Sequence, residues 1–550
     1  MTEEGSIHAE SADTSATEPG NGEQKTGSRV VLIGLSVGAV ALLIAGVVYA
    51  TQMLLGNEFD ALEAIPEDAH IVVTMDLLQF AESENLGLLI DTFAEPMAEA
   101  GYIDSSEVDP GAQIDEFLAE EFDINLEEDI LPWVGRSTAL GSWVPLDMDG
   151  VEEPAVVWSL SIRDGEAAES FVQSISDSLA SEPFDDGTLY TEADQPSGLP
   201  VVWVGDELLV LATDRTLLRE ALDARDGASM ADSETFDQVL AELPGERLAL
   251  FYMGNSFFES LAETATLQSS GVPGDMEAIG DVLGAAVSVS IPDNGVRFDM
   301  VELFTEGSSA ISNVSGELSG VANLPAATVG YFGSVLAEGQ VRELLDQVRE
   351  SDPESFDSVA QEAEEALGVD LFGEVLPSIG GEILFAVVNE RDGFLAEEAG
   401  LPLGILASIG LTTTGPVNEL VAQLEVIALD EGIQILRGSP SVAYADGSEL
   451  LAYEVTSDAL LVGSAAAIVE DFRDGVGGLT ETDLYQEMDS ELPGDGVSFY
   501  VDMGRVFDMF DMSAEDRAIA APFRAVGGSY EYGDDRVTGS LLLLIDYLSD

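Results

Sequence analysis

From Val30 to Asn57 the chain carries no charged residue. The stretch VVLIGLSVGAVALLIAGVVYATQMLL is long enough to cross about 30 Å of hydrocarbon at about 1.5 Å per residue. Beyond it the pattern changes to short apolar runs punctuated by turn residues, and one arrangement occurs four times. The copies read IPEDAHIVVTMDLLQF from Ile65, LPGERLALFYMGNSFF from Leu243, LPAATVGYFGSVLAE from Leu324 and LPGDGVSFYVDMGRVF from Leu492. Proline cannot donate to a ladder and so belongs just before a strand. Asp76, Asn255, Ser334 and Asp502 are residue types that accept hydrogen bonds at a helix N-terminus. Each copy therefore predicts a strand, a cap and a helix.

The spacing of these prolines pairs the copies: Pro66 to Pro244 is 178 residues and Pro325 to Pro493 is 168, which reads as two halves of two units each. Other segments repeat in the same order. INLEEDILPWVGRSTALG from Ile124 is echoed by VDLFGEVLPSIGGEILFA from Val369, with Pro132 and Gly135 matching Pro377 and Gly380. ELLVLATDRTLLREALDARDG from Glu207 is echoed by ALLVGSAAAIVEDFRDG from Ala459. Each half closes on a predicted hairpin, around Asn294-Gly295 and Asp534-Asp535. Helical spacing puts Ala168, Phe171, Val172, Ile175 and Leu179 on one apolar stripe, and Val417, Leu420, Val421 and Leu424 on its counterpart.

Strands arriving in consecutive runs, with helices laid on them, predict an α+β fold: two duplicated lobes of mostly antiparallel sheet with packed helices, after one N-terminal transmembrane helix. The expected organisation is a disordered acidic cytoplasmic tail over 1–29, a transmembrane helix over 30–55, a first lobe over 60–305, a Ser/Gly-rich linker over 306–323 and a second lobe over 324–550.

Charge sharpens the picture. Lys+Arg 18 against Asp+Glu 106 gives a net charge of −88 in 550 residues, although 46% of them are hydrophobic. The first 29 residues hold only six of the acids, so the charge belongs to the part expected to fold. At molar salt the Debye length falls to about 3 Å and such self-repulsion is screened. Short carboxylates in place of lysine stems also reduce exposed apolar surface where salt strengthens the hydrophobic effect. The composition reads as that of a salt-adapted prokaryote, with solvent cations gathered on the acidic surface; an acidic protein of an ordinary high-GC bacterium is the competing reading. Nucleic acid is excluded as a partner, since Arg215, Arg219 and Arg225 are interleaved with Asp214, Glu220, Asp223 and Asp226, as expected of ion pairs on a helix surface.

Lys25 and Arg29 are the only bases in the first 130 residues and precede the apolar run, which orients the N-terminus to the cytoplasm and the lobes outside the cell membrane. Val48-Tyr49-Ala50 would suit a signal-peptide cleavage. The run exceeds the usual 7 to about 15 residues of such a peptide, which favours an uncleaved anchor in the bilayer.

The run before the lobes, the start Ile65-Pro66-Glu67-Asp68-Ala69 and the strand ending near Asp76 together make the chain similar to the bacterial and archaeal domain of unknown function 3352 (DUF3352), over most of Ile65 to Tyr547. The resemblance implies a membrane-tethered extracytoplasmic protein and carries no catalytic residues.

The chemistry available is narrow. Cys 0 removes thiol nucleophiles and disulfides. The sole lysine, Lys25, lies before the anchor, and His70 is the only histidine beyond it. A Ser-His-Asp arrangement would have to use His70, which reads instead as a strand-edge residue. Asp76 and Asp502 hold matching places and are the candidate acid pair for glycoside hydrolysis, with helix capping the plainer reading. Asp147-Met148-Asp149-Gly150 with Glu152 and Glu153 resembles a calcium loop, but Pro145 stands where the first ligand belongs. Gly475 to Gly478 reads as a turn after a helix, since no phosphate-loop signature accompanies it. Trp133, Trp143, Trp158 and Trp203 lie near strands and read as core, while Asn313-Val314-Ser315 is one sequon in the linker.

No catalytic, cofactor or metal residue is assigned. The expectation is a non-enzymatic binding or scaffold protein of the cell envelope, its partner an envelope protein or a hydrophobic ligand held between the lobes. The alternatives are a carboxylate-dependent envelope glycan hydrolase and a lipid or lipoprotein carrier.

Overall fold

The computed structural model describes residues 60–547 apart from 77–83, 100–124, 126–128, 144–154, 176–178, 193–199, 269–280, 306–315, 391–401 and positions 446, 495, 511 and 534. The expected tail, the anchor, the Asp147–Glu153 loop and the sequon at Asn313 lie outside the described residues. No described helix is long and apolar enough to cross a membrane.

Among the described residues the short apolar runs become twenty strands. In the first half these are β1 (Ile71–Asp76), β2 (Val134–Trp143), β3 (Ala155–Ile162), β4 (Leu179–Phe184), β5 (Gly187–Glu192), β6 (Val201–Val204), β7 (Leu208–Ala212), β8 (Ala249–Gly254), β9 (Val282–Ser290) and β10 (Gly295–Phe304). In the second they are β11 (Thr328–Leu336), β12 (Ile379–Asn389), β13 (Leu403–Leu411), β14 (Gln434–Leu436), β15 (Ser441–Ala445), β16 (Ser448–Val455), β17 (Ala459–Gly463), β18 (Phe499–Asp502), β19 (Phe523–Tyr532) and β20 (Arg536–Ile545).

All pair antiparallel in one sheet. Its first ten strands run β4-β5-β6-β7-β3-β2-β1-β8-β9-β10. The other ten follow as β20-β19-β18-β11-β12-β13-β17-β16-β15-β14. Strand n of the first half and strand n + 10 of the second thus hold equivalent places, mirrored about the β10–β20 pair. Details repeat as well. Pro66 bridges Ser229 and Pro325 bridges Gly478. Both β2 and β12 slip register near their starts, at Val134/Thr138 and Ile379/Ile383.

One face of the sheet carries the main cores. In the first half Leu62, Ile65, Val72, Trp203, Val210, Leu218 and Phe236 pack together; in the second, Leu324, Tyr331, Leu384, Leu406, Val469, Met488 and Tyr500 do. Each such side chain contributes about 1.5–3 kcal/mol of apolar transfer free energy when fully buried. Helix Arg215–Ala224 buries Leu217, Leu218, Ala221 and Leu222, and Asp214 caps it by accepting from Thr216 N at 2.6 Å and Leu217 N at 3.0 Å. Its counterpart Ala466–Arg473 has Ala465 at the cap position, and the Glu449 carboxylate of β16 accepts from Ala466 N instead. Helices Glu234–Glu242 and Asp483–Glu491 are capped alike, by Ser233 and Thr482.

Several expectations change. Ser334 lies inside β11, Asn255 is the first residue of helix Asn255–Gln268, and of the four expected caps the described residues place Asp502 in that role, accepting from Arg505 N at 3.0 Å. Leu179 opens β4 rather than extending helix Gly165–Ile175. The linker is shorter than 306–323: Ser319–Asn323 forms a 3-10 turn whose Val321 sits in the second core, as Asp60–Ala64 does in the first. Among the described residues the two halves meet by pairing of β10 with β20.

Candidate functional site

Among the described residues, those singled out for chemistry have structural neighbours of their own. His70 precedes β1, half-buried, with its ring 6.5 Å from that of Phe257 in an edge contact. Asp76 and Asp502 do not form a pair. Five strands separate β1 from β18, and each acid holds its own arginine: Arg136 Nε donates to Asp76 at 3.0 Å, and Arg505 Nε lies 2.9 Å from Asp502. Such separately neutralised carboxylates lack the facing geometry that glycoside hydrolysis requires. Among the described residues no group of three or more His, Asp or Glu is placed to hold a metal ion.

Trp143 packs partly buried against the first core, and the other three tryptophans have their polar tips satisfied. Trp133 and Trp203 are buried, their Nε1 atoms donating to Asp129 O at 2.6 Å and Phe184 O at 3.0 Å; half-buried Trp158 donates to Thr138 Oγ1 at 2.7 Å. Arg215, Arg219 and Arg225 do not pair within their helix. They reach the β4–β5 hairpin, where Arg215 meets Glu182 at 2.8 Å, Arg225 meets Asp186 at 3.5 Å, and Arg215 and Arg219 both lie over the Phe184 ring. Gly475 and Gly478 have positive φ after helix Ala466–Arg473, as a turn there requires.

Buried hydroxyls cluster in the second core. Tyr331 donates to Val497 O at 2.8 Å and lies 3.2 Å from the Tyr485 hydroxyl. Burial, and then the neighbouring Tyr485, push the Tyr331 hydroxyl far above the usual phenol range; burial pushes Tyr485 up to about 12. These groups stay protonated and act as structural donors.

What remains is the second face of the sheet. Phe332 on β11 stands opposite both Phe499 on β18 and Phe385 on β12. Phe332 is 55% exposed and Phe385 46% exposed, with Ile405 of β13 also bare nearby. The equivalent first-half positions hold Val73 and Leu140, both half-buried, and Phe251, which is 37% exposed. Sequence reading located these strands but not the bare face, because Phe385-Ala386-Val387 is apolar on both sides of the pleat. The available signal was that two-sidedness beside a one-sided counterpart.

With this geometry in place, a family model described as "Protein of unknown function (DUF3352)" matches residues 26–540. The chain belongs to the DUF3352 family. That bears out the resemblance carried by the Ile65-Pro66 start. No curated protein matches this DUF3352 chain. Among solved structures, crystal forms III, I and IV of TP0453 are similar to it at 10%, 11% and 9% identity, over 44% of this chain and 80%, 79% and 80% of theirs. The TM-scores are 0.24, 0.23 and 0.24, too low to carry an argument about this DUF3352 protein.

Proposed function

We propose that this DUF3352 protein is a non-enzymatic binding or scaffold protein of the cell envelope in a salt-adapted prokaryote. It is anchored through residues 30–55 with the N-terminus in the cytoplasm and two tandem-duplicated lobes outside. The observation that carries this reading is the adjacent pair Phe332 and Phe385, left bare on the sheet in a protein of net charge −88. Exposed aromatic neighbours, with bare Ile405 near them, favour contact with an apolar group of a partner or ligand. The anchor rests on the length of the uncharged run from Val30 to Asn57.

The test is titration of the full-length protein with Nile red in molar KCl, beside the double variant Phe332→Ser, Phe385→Ser. Saturable binding lost in the variant upholds the reading; binding unaffected by it, or none in the wild type, refutes it. Protease treatment of intact cells checks the location, since lobes outside the membrane must be cleaved while cytoplasmic controls survive.

A further inference from the structure

Asp60 opens a turn that the first core holds fast. Ala61, Leu62 and Ala64 of Asp60–Ala64 are fully buried there together with Ile65, and Ala61 N donates to Ser137 Oγ of β2 at 3.1 Å. Met230 N donates to Ile65 O at 2.7 Å and Glu67 N to Ala228 O at 3.1 Å, which ties the turn to the segment after helix Arg215–Ala224. The turn cannot be drawn away from the first half without opening its core.

That fixed point limits where the molecule can sit on an anchor that ends at residue 55. From there to Asp60 the chain takes five steps, and fully extended it covers at most about 18 Å at about 3.6 Å per residue. The headgroup zone takes up about 5–7 Å of this reach and leaves Asp60 within about 12 Å of the lipid surface. The bare aromatic face is elsewhere. Between β2 and β11 the sheet places β1, β8, β9, β10, β20, β19 and β18, a separation of about 38 Å along the sheet at about 4.8 Å per strand.

We propose, resting on the reading of residues 30–55 as an anchor, that the surface around Asp60 faces the headgroup layer of the anchor's own bilayer and fits zwitterionic lipids through their ammonium groups. Glu63, Glu67, Glu207, Asp226 and Asp232 are all exposed. Asp60, Glu207, Asp232 and Arg225 lie near enough to Glu63 to act on its charge, and Glu67 is bonded to Ala228, two residues after Asp226. The base in this group, Arg225, is already held by Asp186 at 3.5 Å. Carboxylates gathered in this way repel anionic lipid, while an ammonium group meets them at contact distance, where even the Debye length of about 3 Å at molar salt leaves attraction. The tether sets the seat and the charge sets the lipid. The attached end and the Phe332–Phe385 face are then separate regions, one kept at the membrane and the other free for a different occupant.

Because the chain has no cysteine, single probes test this directly. Full-length Glu67→Cys, Asp226→Cys and, on β14 at the far end of the second half, Gln434→Cys are each labelled with bimane and reconstituted in molar KCl into phosphatidylcholine vesicles that carry a headgroup nitroxide. Emission from the Glu67→Cys and Asp226→Cys probes is expected to fall to half or less, and that from Gln434→Cys to match nitroxide-free vesicles. Exchanging part of the lipid for phosphatidylglycerol should relieve the quenching; unchanged or deeper quenching would overturn the choice of lipid. A chain that stays inserted through an alkaline carbonate wash, yet is quenched at Gln434→Cys, equally at all three probes or at none, would overturn the seat alone. A chain that the wash strips from the vesicles would refute the anchor, and the seat with it.

Discussion

Asp299 and Ser540 stand opposite each other across the β10–β20 pair, with the Ser540 hydroxyl donating to Asp299 Oδ1. Both are buried, and they sit where the two equivalent runs of strands meet. Arg297 completes the joint, with Nε at 2.8 Å and Nη2 at 2.7 Å from the same carboxylate oxygen, while its Nη1 donates to Glu491 O of a second-half helix at 3.2 Å. From the other half, Arg536 of β20 reaches back to Glu242 at the end of the matching first-half helix, at 3.4 Å.

Removing the carboxylate should therefore loosen the joint. Asp299→Ala leaves Arg297 and the buried Ser540 hydroxyl without their acceptor and is expected to cost about 2–4 kcal/mol. Ser540→Ala, which leaves the ion pair in place, should cost about 1 kcal/mol. Urea unfolding at fixed KCl distinguishes the two; equal small losses would show that the ion pair contributes little.

The same joint requires a glycine. A Cβ on Gly295 would stand 2.0 Å from Leu543 O, a backbone atom of the paired strand, so the strands themselves must move to admit it. Gly295→Ala is expected to destabilise by about 1–3 kcal/mol. Gly245→Ala, where a Cβ meets nothing within 4 Å, is the neutral control in the same melt.

Glu63 offers a pH signature. Burial first, then the nearby Asp60, hold its carboxyl above the usual range, with Arg225 opposing. A raised carboxyl pKa means the folded state binds the proton more tightly, so ionisation disfavours folding once pH passes the ordinary carboxylate value. Glu63→Gln should raise the melting temperature slightly at pH 7 and make no difference near pH 3. A benefit that is the same at both values would sink this assignment.

Salt should act on the whole molecule. With a net charge of −88, the melting temperature is expected to climb from about 0.2 M to about 3 M KCl as repulsion is screened. A flat or falling curve would remove the case for salt adaptation.

Much of this fold is legible in the residues. The Leu/Ile-Pro starts at Pro66, Pro244, Pro325 and Pro493 do precede β1, β8, β11 and β18, and Pro132 and Pro377 precede β2 and β12. Such positions are readable because proline has few places in a sheet. The union of both halves in one sheet was not readable. The alternation in β10 and β20 fits any antiparallel neighbour, and Asp299 looks like a surface residue until Arg297 and Ser540 are placed around it. Ser334 was mistaken for a cap because a strand's end is set by its partners; β11 continues to Leu336 opposite Gly381 of β12. His70 and the buried tryptophans take the packing places that the sequence suggests, but the exposure of Phe332 depends on which elements fail to cover it.

The proline-bearing margin at β4 limits what association can build. Growth by edge addition needs two receptive ends, and at β4 Pro183 offers no N–H while Arg215 and Arg219 cover Phe184. Strand-to-strand stacking is therefore disfavoured at that margin.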